Sequence, residues 1–328
     1  MNKIGGAELS LNRVETVLGP YDCKEDDIWD AHLHLWCRPH PSVSNDPDLF
    51  LQNEIMAEKE LKRFKEAGGS IVVDFTPIDY RRNPHVLINL SRATGVKIIM
   101  CTGFYRSPGP DYYLKDKDIN TVKQQLVNEV KFGEEQTGAR AAFYKWATSR
   151  DEITDTEYVT LNLITEAHKE TKAPIATHCQ RGRLAVTQVR LLKEKGVSPE
   201  NILIGHLDMI PDLTLDMLLE VLNTGVNIAF DQLGKPKYGL DFHKIELIKQ
   251  LYELGFGDKI LCGTDIGRFS CFEESGGIPG YAHIPKKFKE ELAAAGFSNE
   301  QILTLLAINP AKFYRTRTES NIEPQPQF

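Results

Sequence analysis

Apolar residues in this chain arrive in short, nearly continuous runs, each cut off by a proline, a glycine or a charged residue. Eight such runs read as strands: residues 28–36 (IWDAHLHLW), 70–77 (SIVVDFTP), 96–105 (VKIIMCTGFY), 139–148 (ARAAFYKWAT), 173–179 (APIATHC), 201–207 (NILIGHL), 225–231 (GVNIAFD) and 259–265 (KILCGTD). Continuous runs suit parallel strands buried on both faces. Between them the spacing turns helical. A helix with apolar positions at Ile55, Leu61 and Phe64 stops at the Gly68–Gly69 pair. The next opens at Pro84 and closes before Gly95, spanning 84–94. Further helices are expected over 117–137, 155–171, 183–195, 213–223 and 241–254, and near 283–295, 298–307 and 309–315. Residues 38–49 and the TGFYRSPGP tail of the third strand read as loops, and 13–19 as a strand or cap before the main fold.

Strands alternating with helices at this spacing mean a parallel sheet, either open and doubly wound or closed. No GxGxxG follows the first strand, so the dinucleotide-binding open sheet lacks its phosphate loop. Eight units favour closure, and 328 residues suit a (β/α)8 barrel, the TIM barrel. The expected organisation is one domain over 1–316, with 1–22 as its N-terminal strand or cap and 317–328 as a polar tail.

Composition narrows the partners. The chain is 41% hydrophobic and 26% charged with a net charge of −7, both signs interspersed, which argues against nucleic acid or an anionic membrane as the main partner. No signal peptide and no run near eighteen apolar residues are present, so a soluble cytoplasmic protein is expected. The six cysteines form no CxxC pair and read as reduced thiols, with Cys179 and Cys262 as packing residues.

The chemistry sits where the strands end, because a barrel of this kind carries its active site at the C-terminal ends of its strands. The first strand ends in His32 and His34, two apart and so on one face. The fourth carries Lys145, the fifth His178, the sixth His206 and the eighth Asp265. Burying these groups unpaired would be costly. A set of satisfied core polar residues is one reading; two metals sharing a bridging hydroxide would accommodate all six. His40, His85, His168, His243 and His283 fall in loops or helices and read as surface or structural.

The ordered motifs DAHLHL, FYKWAT, IATHCQRG, ILIGHLD and LCGTDIGR resemble the phosphotriesterase-related family of the amidohydrolase superfamily, from about Thr16 to Phe313. The resemblance implies two divalent metal ions, zinc first among them, with manganese, cobalt and iron also compatible. It places His32, His34 and Asp265 on one ion, His178 and His206 on the other, and a carboxylated Lys145 between them. It further implies hydrolysis of an ester-like bond by the metal-bridging hydroxide, with Asp265 moving the proton; a lactone is the first candidate, and a phosphorylated sugar lactone lies within reach. Hydrolysis of an N-acyl amide or an organophosphate triester on the same metals is the alternative. Outside the enzymes stands a metal-binding sensor or scaffold barrel, which has no use for a bridging lysine.

For substrate contacts, Tyr105 matches a tyrosine lining the pocket of family lactonases. Lys237 and Arg268 occupy the places where a lysine and an arginine hold phosphate in the sugar-lactone branch, and Arg181 is a further candidate. Arg268 could instead pair with Glu273 or Asp231. Asp208 and Asp231 are read as carboxylates orienting ligand histidines. The expected partner is a small anionic molecule, and a homodimer is compatible. Two departures stand out: Leu33 where the family often writes HEH, and TPIDYRRN at 76–83 in place of the usual Thr-Thr and Gly-Arg pattern.

Overall fold

The computed structural model describes residues 13–317. The polar tail expected from residue 317 lies, apart from Arg317 itself, outside the described residues, as does the beginning of the N-terminal segment. The chain opens as an antiparallel hairpin of β1 (Arg13–Thr16) and β2 (Gly19–Asp22). Eight parallel strands follow: β3 (Ile28–Leu33), β4 (Gly69–Asp74), β5 (Lys97–Gly103), β6 (Phe143–Thr148), β7 (Ile175–Cys179), β8 (Ile202–Ile204), β9 (Asn227–Phe230) and β10 (Ile260–Cys262). Their spatial order is their chain order, as successive right-handed βαβ units dictate. Helices α1 (Glu54–Glu66), α2 (Pro84–Thr94), α3 (Gly109–Leu114), α4 (Ile119–Lys131), α5 (Asp155–Thr171), α6 (Ala185–Glu194), α7 (Leu215–Leu222) and α8 (Asp241–Glu253) lie between the strands, and α9 (Lys289–Ala294), α10 (Asn299–Leu303) and α11 (Asn309–Tyr314) follow them. The architecture is the (β/α)8 barrel. Among the described residues no helix is long and apolar enough to cross a membrane.

Strand alternation divides the apolar residues into two cores. Trp29, Ile71, Val73, Ile99, Phe143, Leu203 and Leu261 face inward and pack with Val14, Phe313 and Tyr314. Val72, Ile98, Tyr144, Trp146, Ile175 and Ile228 face the helices. Tyr314, at the end of α11, stacks on Trp29 at 6.1 Å and donates to the Ala31 carbonyl at 3.2 Å. This plug packs into the barrel at the end where β3 and β6 begin.

Helices α2 and α5 begin and end where the sequence pattern places them, each behind a side-chain cap. Asn83 caps α2 through Val86 N, Pro84 follows at the first turn, and Gly95 ends it at φ 71°. Thr154 and Glu157 form a reciprocal capping box on α5. Elsewhere tertiary contacts override the pattern. Ile55 is 70% exposed, and α1 buries Ala57, Glu60, Leu61 and Phe64 instead. Gly69 is not part of the helix stop but the first residue of β4, where a Cβ would lie 2.3 Å from the Phe64 ring. The helix expected over 117–137 ends at Lys131, and part of the loop after β5 folds into α3. Residues 281–288 form a tight turn and then a wide one, so α9 starts only at Lys289. A wide turn over Thr304–Ile308 joins α10 to α11, next to Pro310, which has no N–H to continue a regular ladder.

Barrel closure matters most for the site. Around the end of β3 and just past β10, the His32 carbonyl accepts Asp265 N at 2.7 Å and Thr264 N at 3.2 Å, and the Ile266 carbonyl accepts His34 N at 2.9 Å. The fully buried Asp30 carboxylate stitches the same seam, accepting His32 N (3.1 Å), Thr264 N (3.2 Å) and Thr264 Oγ1 (2.6 Å). Gly263 permits the close approach, since a Cβ there would lie 2.8 Å from His32 N. The seam thus sets first-strand histidines beside last-strand Asp265.

Candidate metal centre

The six residues at the strand ends do converge. Asp265 Oδ1 lies 3.3 Å from His32 Nε2 and 3.4 Å from His34 Nε2. His206 Nε2 lies 2.7 Å from His178 Nδ1, and the His32 and His206 ring centroids are 5.2 Å apart. Lys145, 1% exposed, projects from β6 into the same space. Backbone strain helps aim two of them. His206 (φ 63°) and Asp265 (φ 45°) adopt the left-handed conformation just past β8 and β10. For L-residues that conformation is unfavourable and persists only where the surroundings hold it. His206 N is held by both oxygens of Asp231, at 3.1 and 3.2 Å, and Asp265 N by the His32 carbonyl.

Each imidazole has one nitrogen pinned from outside. Asp231 Oδ2 takes His32 Nδ1 at 2.9 Å, and its Oδ1 takes His206 Nδ1 at 2.8 Å. Thr76 Oγ1 meets His34 Nδ1 at 2.8 Å, and Gln180 Oε1 meets His178 Nε2 at 2.7 Å. Carboxylate and amide oxygens accept only, so His32, His206 and His178 carry their protons on the pinned nitrogens. The remaining lone pairs face inward. His32 Nε2 is buried with no hydrogen-bond partner, and the two ring nitrogens facing at 2.7 Å share a proton, which a metal ion at ~2.0–2.1 Å from each would replace as the rings part. The donor set of imidazole nitrogens and one carboxylate oxygen suits divalent transition metals.

The electrostatics agree. Burial lowers His34 to about 4. Burial, with His206 and Lys145 nearby, holds His178 well below the ordinary imidazole value. Burial works on His206 too, but Asp231 and Asp265 outweigh it and raise that residue. Burial also lowers Lys145, whose Nζ donates to the Phe75 carbonyl at 2.8 Å; the neutral amine is the form that adds CO2. For Asp265, burial would raise the carboxyl, yet Lys235, His206 and His32 hold it well below the usual carboxylate range.

Above these groups opens a cavity of about 300 Å³. Tyr105, Lys237 and Arg268 line it. Arg181 does not: it is exposed, in a left-handed turn at φ 56°, and is absent from the cavity wall. The turn after β7 carries it outward. Arg268 pairs with neither Glu273 nor Asp231 but with Asp46 at 2.7 Å and Asp48 at 3.1 Å. Asp231 bonds two of the histidines, His32 and His206. Asp208 reaches none of them; it accepts Asp231 N (3.3 Å) and Gln232 N (2.9 Å) and pairs with Lys244 at 3.4 Å, one layer further out. The remaining histidines lie elsewhere; His168 bonds the Ala173 carbonyl and His283 pairs with Asp241.

Several contacts of the site escaped the sequence reading. Gln232 Nε2 donates to Asp265 Oδ2 at 2.8 Å. Lys235 donates to the Asp265 carbonyl and lies 3.5 Å from Oδ2. Gln232 follows a recognised aspartate directly, a proximity signal that was available. The unusual TPIDYRRN segment supplies a cavity wall: Tyr80 packs on Tyr105 at 4.9 Å, and buried Asp79 accepts Tyr105 N at 2.9 and 3.1 Å. Only the fold brings that segment to Tyr105.

The profile of the phosphotriesterase family matches residues 12–314. A phosphotriesterase-related protein of Nematostella vectensis is 30% identical, the match covering 88% of this chain and 85% of that one. A phospho-furanose lactonase of Mycoplasmopsis synoviae is 28% identical over 94% of this chain and 93% of its own length. Among solved structures, a lactonase from Listeria monocytogenes superposes with a TM-score of 0.86 at 28% identity, covering 93% of this chain and all of that one.

Proposed function

The chain belongs to the phosphotriesterase family, and from that premise we propose that it is a binuclear metal-dependent hydrolase that opens a lactone, with phosphorylated sugar lactones as the substrate class. The observation that carries this reading is the inward convergence of imidazole lone pairs with Asp265 around buried Lys145. His32, His34 and Asp265 would hold one ion and His178 and His206 the other, with carboxylated Lys145 shared between them. When bound, the ions polarise the lactone carbonyl and make the attacking water acidic enough to react near neutral pH.

The chain's own groups do the rest. Asp265 takes the proton released as water adds to the carbonyl, at Oδ2, the oxygen turned away from His32 and His34. It returns that proton to the ring oxygen as the C–O bond breaks. Tyr105, 4.8 Å from His178, closes one side of the cavity against water. Lys237, exposed and lying over the Tyr238 ring, offers its ammonium to an anionic group distal to the scissile bond. The lactonases among the relatives support the choice of substrate class.

Elemental analysis of the metal-supplemented protein is expected to give about two divalent ions per chain, as a two-metal site requires. One or none would remove the basis of this mechanism. With the loaded enzyme, a pH-indicator screen of lactones against phosphorylated sugar lactones identifies the substrate. Lys237→Ala should raise KM for the phosphorylated substrate roughly tenfold or more, since a charge-assisted hydrogen bond contributes ~1.5–3 kcal/mol. KM for the unphosphorylated analogue should barely move. Arg268→Ala should have the smaller effect, because Asp46 and Asp48 already compete for its guanidinium. Equal KM changes for both substrates would place the phosphate elsewhere.

A further inference from the structure

We infer that Gln180 selects which ring nitrogen His178 offers to the second metal position, and so tunes that position separately from the first. The inference rests on the binuclear reading above. Three kinds of support hold the four imidazoles. The Asp231 carboxylate serves one histidine of each position, His32 and His206. Thr76 serves His34 alone, in the first position, and is itself fixed by Asp74, which accepts Thr76 N at 2.7 Å. Gln180 serves His178 alone, in the second.

Geometry makes Gln180 suited to this task. It opens the tight turn Gln180–Gly182 directly after β7, and Arg181 at φ 56° reverses the chain there. The Gln180 side chain thereby folds back onto the ring two residues before it. The backbone of His178 is fixed independently, since Gln188 Nε2 bonds its carbonyl at 3.1 Å and Thr148 Oγ1 at 2.8 Å. What stays free is rotation of the ring about Cβ–Cγ, which would put Cδ2 in the place of Nδ1 and Cε1 in that of Nε2, and the site of the ring proton. An amide oxygen against Nε2 keeps the proton there and leaves the Nδ1 lone pair toward His206. Gln180 adds no negative charge, unlike Asp231, and is only half-buried. Asp231 serves both positions alike, so their outer supports differ only in fully buried Thr76 against half-buried Gln180, and the second position has the one open to solvent.

The test uses the full chain as wild type, Q180L, Q180E and T76V. Long-range 1H–15N spectra of the metal-free, histidine-labelled protein report tautomers directly, with His178 assigned from its missing signal in H178N. Wild type and Q180E should show His178 protonated at Nε2, and Q180L should lose that preference. Zinc titration against a competing chelator should then show Q180L weakened ~10-fold at one site only, the lower end of the effect of removing an outer-sphere partner. Q180E, which restores an acceptor, should not be weakened there, and T76V should weaken the other site. If Q180L keeps both the Nε2 proton and both affinities, the inference is overturned. If wild type binds fewer than two ions, the binuclear reading fails, while the tautomer spectra still decide what Gln180 does.

Discussion

Asp265→Asn should fold like the native chain and lose ~10²- to 10⁴-fold in turnover, the usual range for removing a general acid–base group. Asparagine tolerates the left-handed conformation better than most residues, so the φ of 45° at this position is kept. The backbone bond from residue 265 to the His32 carbonyl does not involve the side chain and survives. What changes is charge and basicity. An amide cannot take a proton from attacking water, and Lys235 and Gln232 lose the carboxylate they hold. The decisive measurement is kcat at a zinc concentration where metal content is verified to match wild type, with Tm as the control for folding. Unchanged kcat under those conditions would assign the proton transfer to another group.

Asp231→Ala should strip metal from both positions and cost several kcal/mol of stability. Asp231 is completely buried and accepts from His32 Nδ1, His206 Nδ1 and His206 N. Leaving a buried donor unpaired costs ~1–3 kcal/mol each, partly offset because a buried charge is also removed. Outer partners of this kind commonly contribute 10- to 100-fold in metal affinity, and this one supports a ligand of each ion. The expected result is a lower Tm and less than one bound zinc per chain at a concentration that saturates the native protein. Retention of both ions at native affinity would show that the rings hold their orientation without Asp231. The contrast with Q180L, which should lose one site only, separates a shared support from a private one.

Most of the barrel and the ligand types were legible in the sequence because both depend on local pattern. Continuous apolar runs of strand length must be buried on both faces, and eight of them alternating with helices leave few topologies. A histidine, lysine or aspartate at the end of such a run has nowhere to go but the C-terminal mouth. For α2 and α5, with Asn83 and Thr154 as caps, even the helix boundaries follow. Where a distant contact decides, they do not: Ile55 has the spacing of a core residue yet faces solvent, because only packing against neighbouring elements determines which stripe of α1 is covered.

The same division runs through the site. That His32 and His34 present two imidazoles to one place follows from strand alternation. Which nitrogen the His32 ring offers does not, because the group that decides stands 199 residues away. Arg268 reads in the sequence as a phosphate contact or a partner of Glu273 or Asp231, but the fold lays two other carboxylates, from the loop after β3, against it. Lys235 looks like one more loop lysine until closure of the barrel places Asp265 beside it. The sequence by itself determined the architecture and the end of the barrel where the six polar residues stand, since these are set by periodicity and by the cost of burying charge. Tautomers, the neutralised arginine and the hold on Asp265 were decided only by tertiary structure, since each depends on hydrogen bonds made across the seam and between loops that no local spacing encodes.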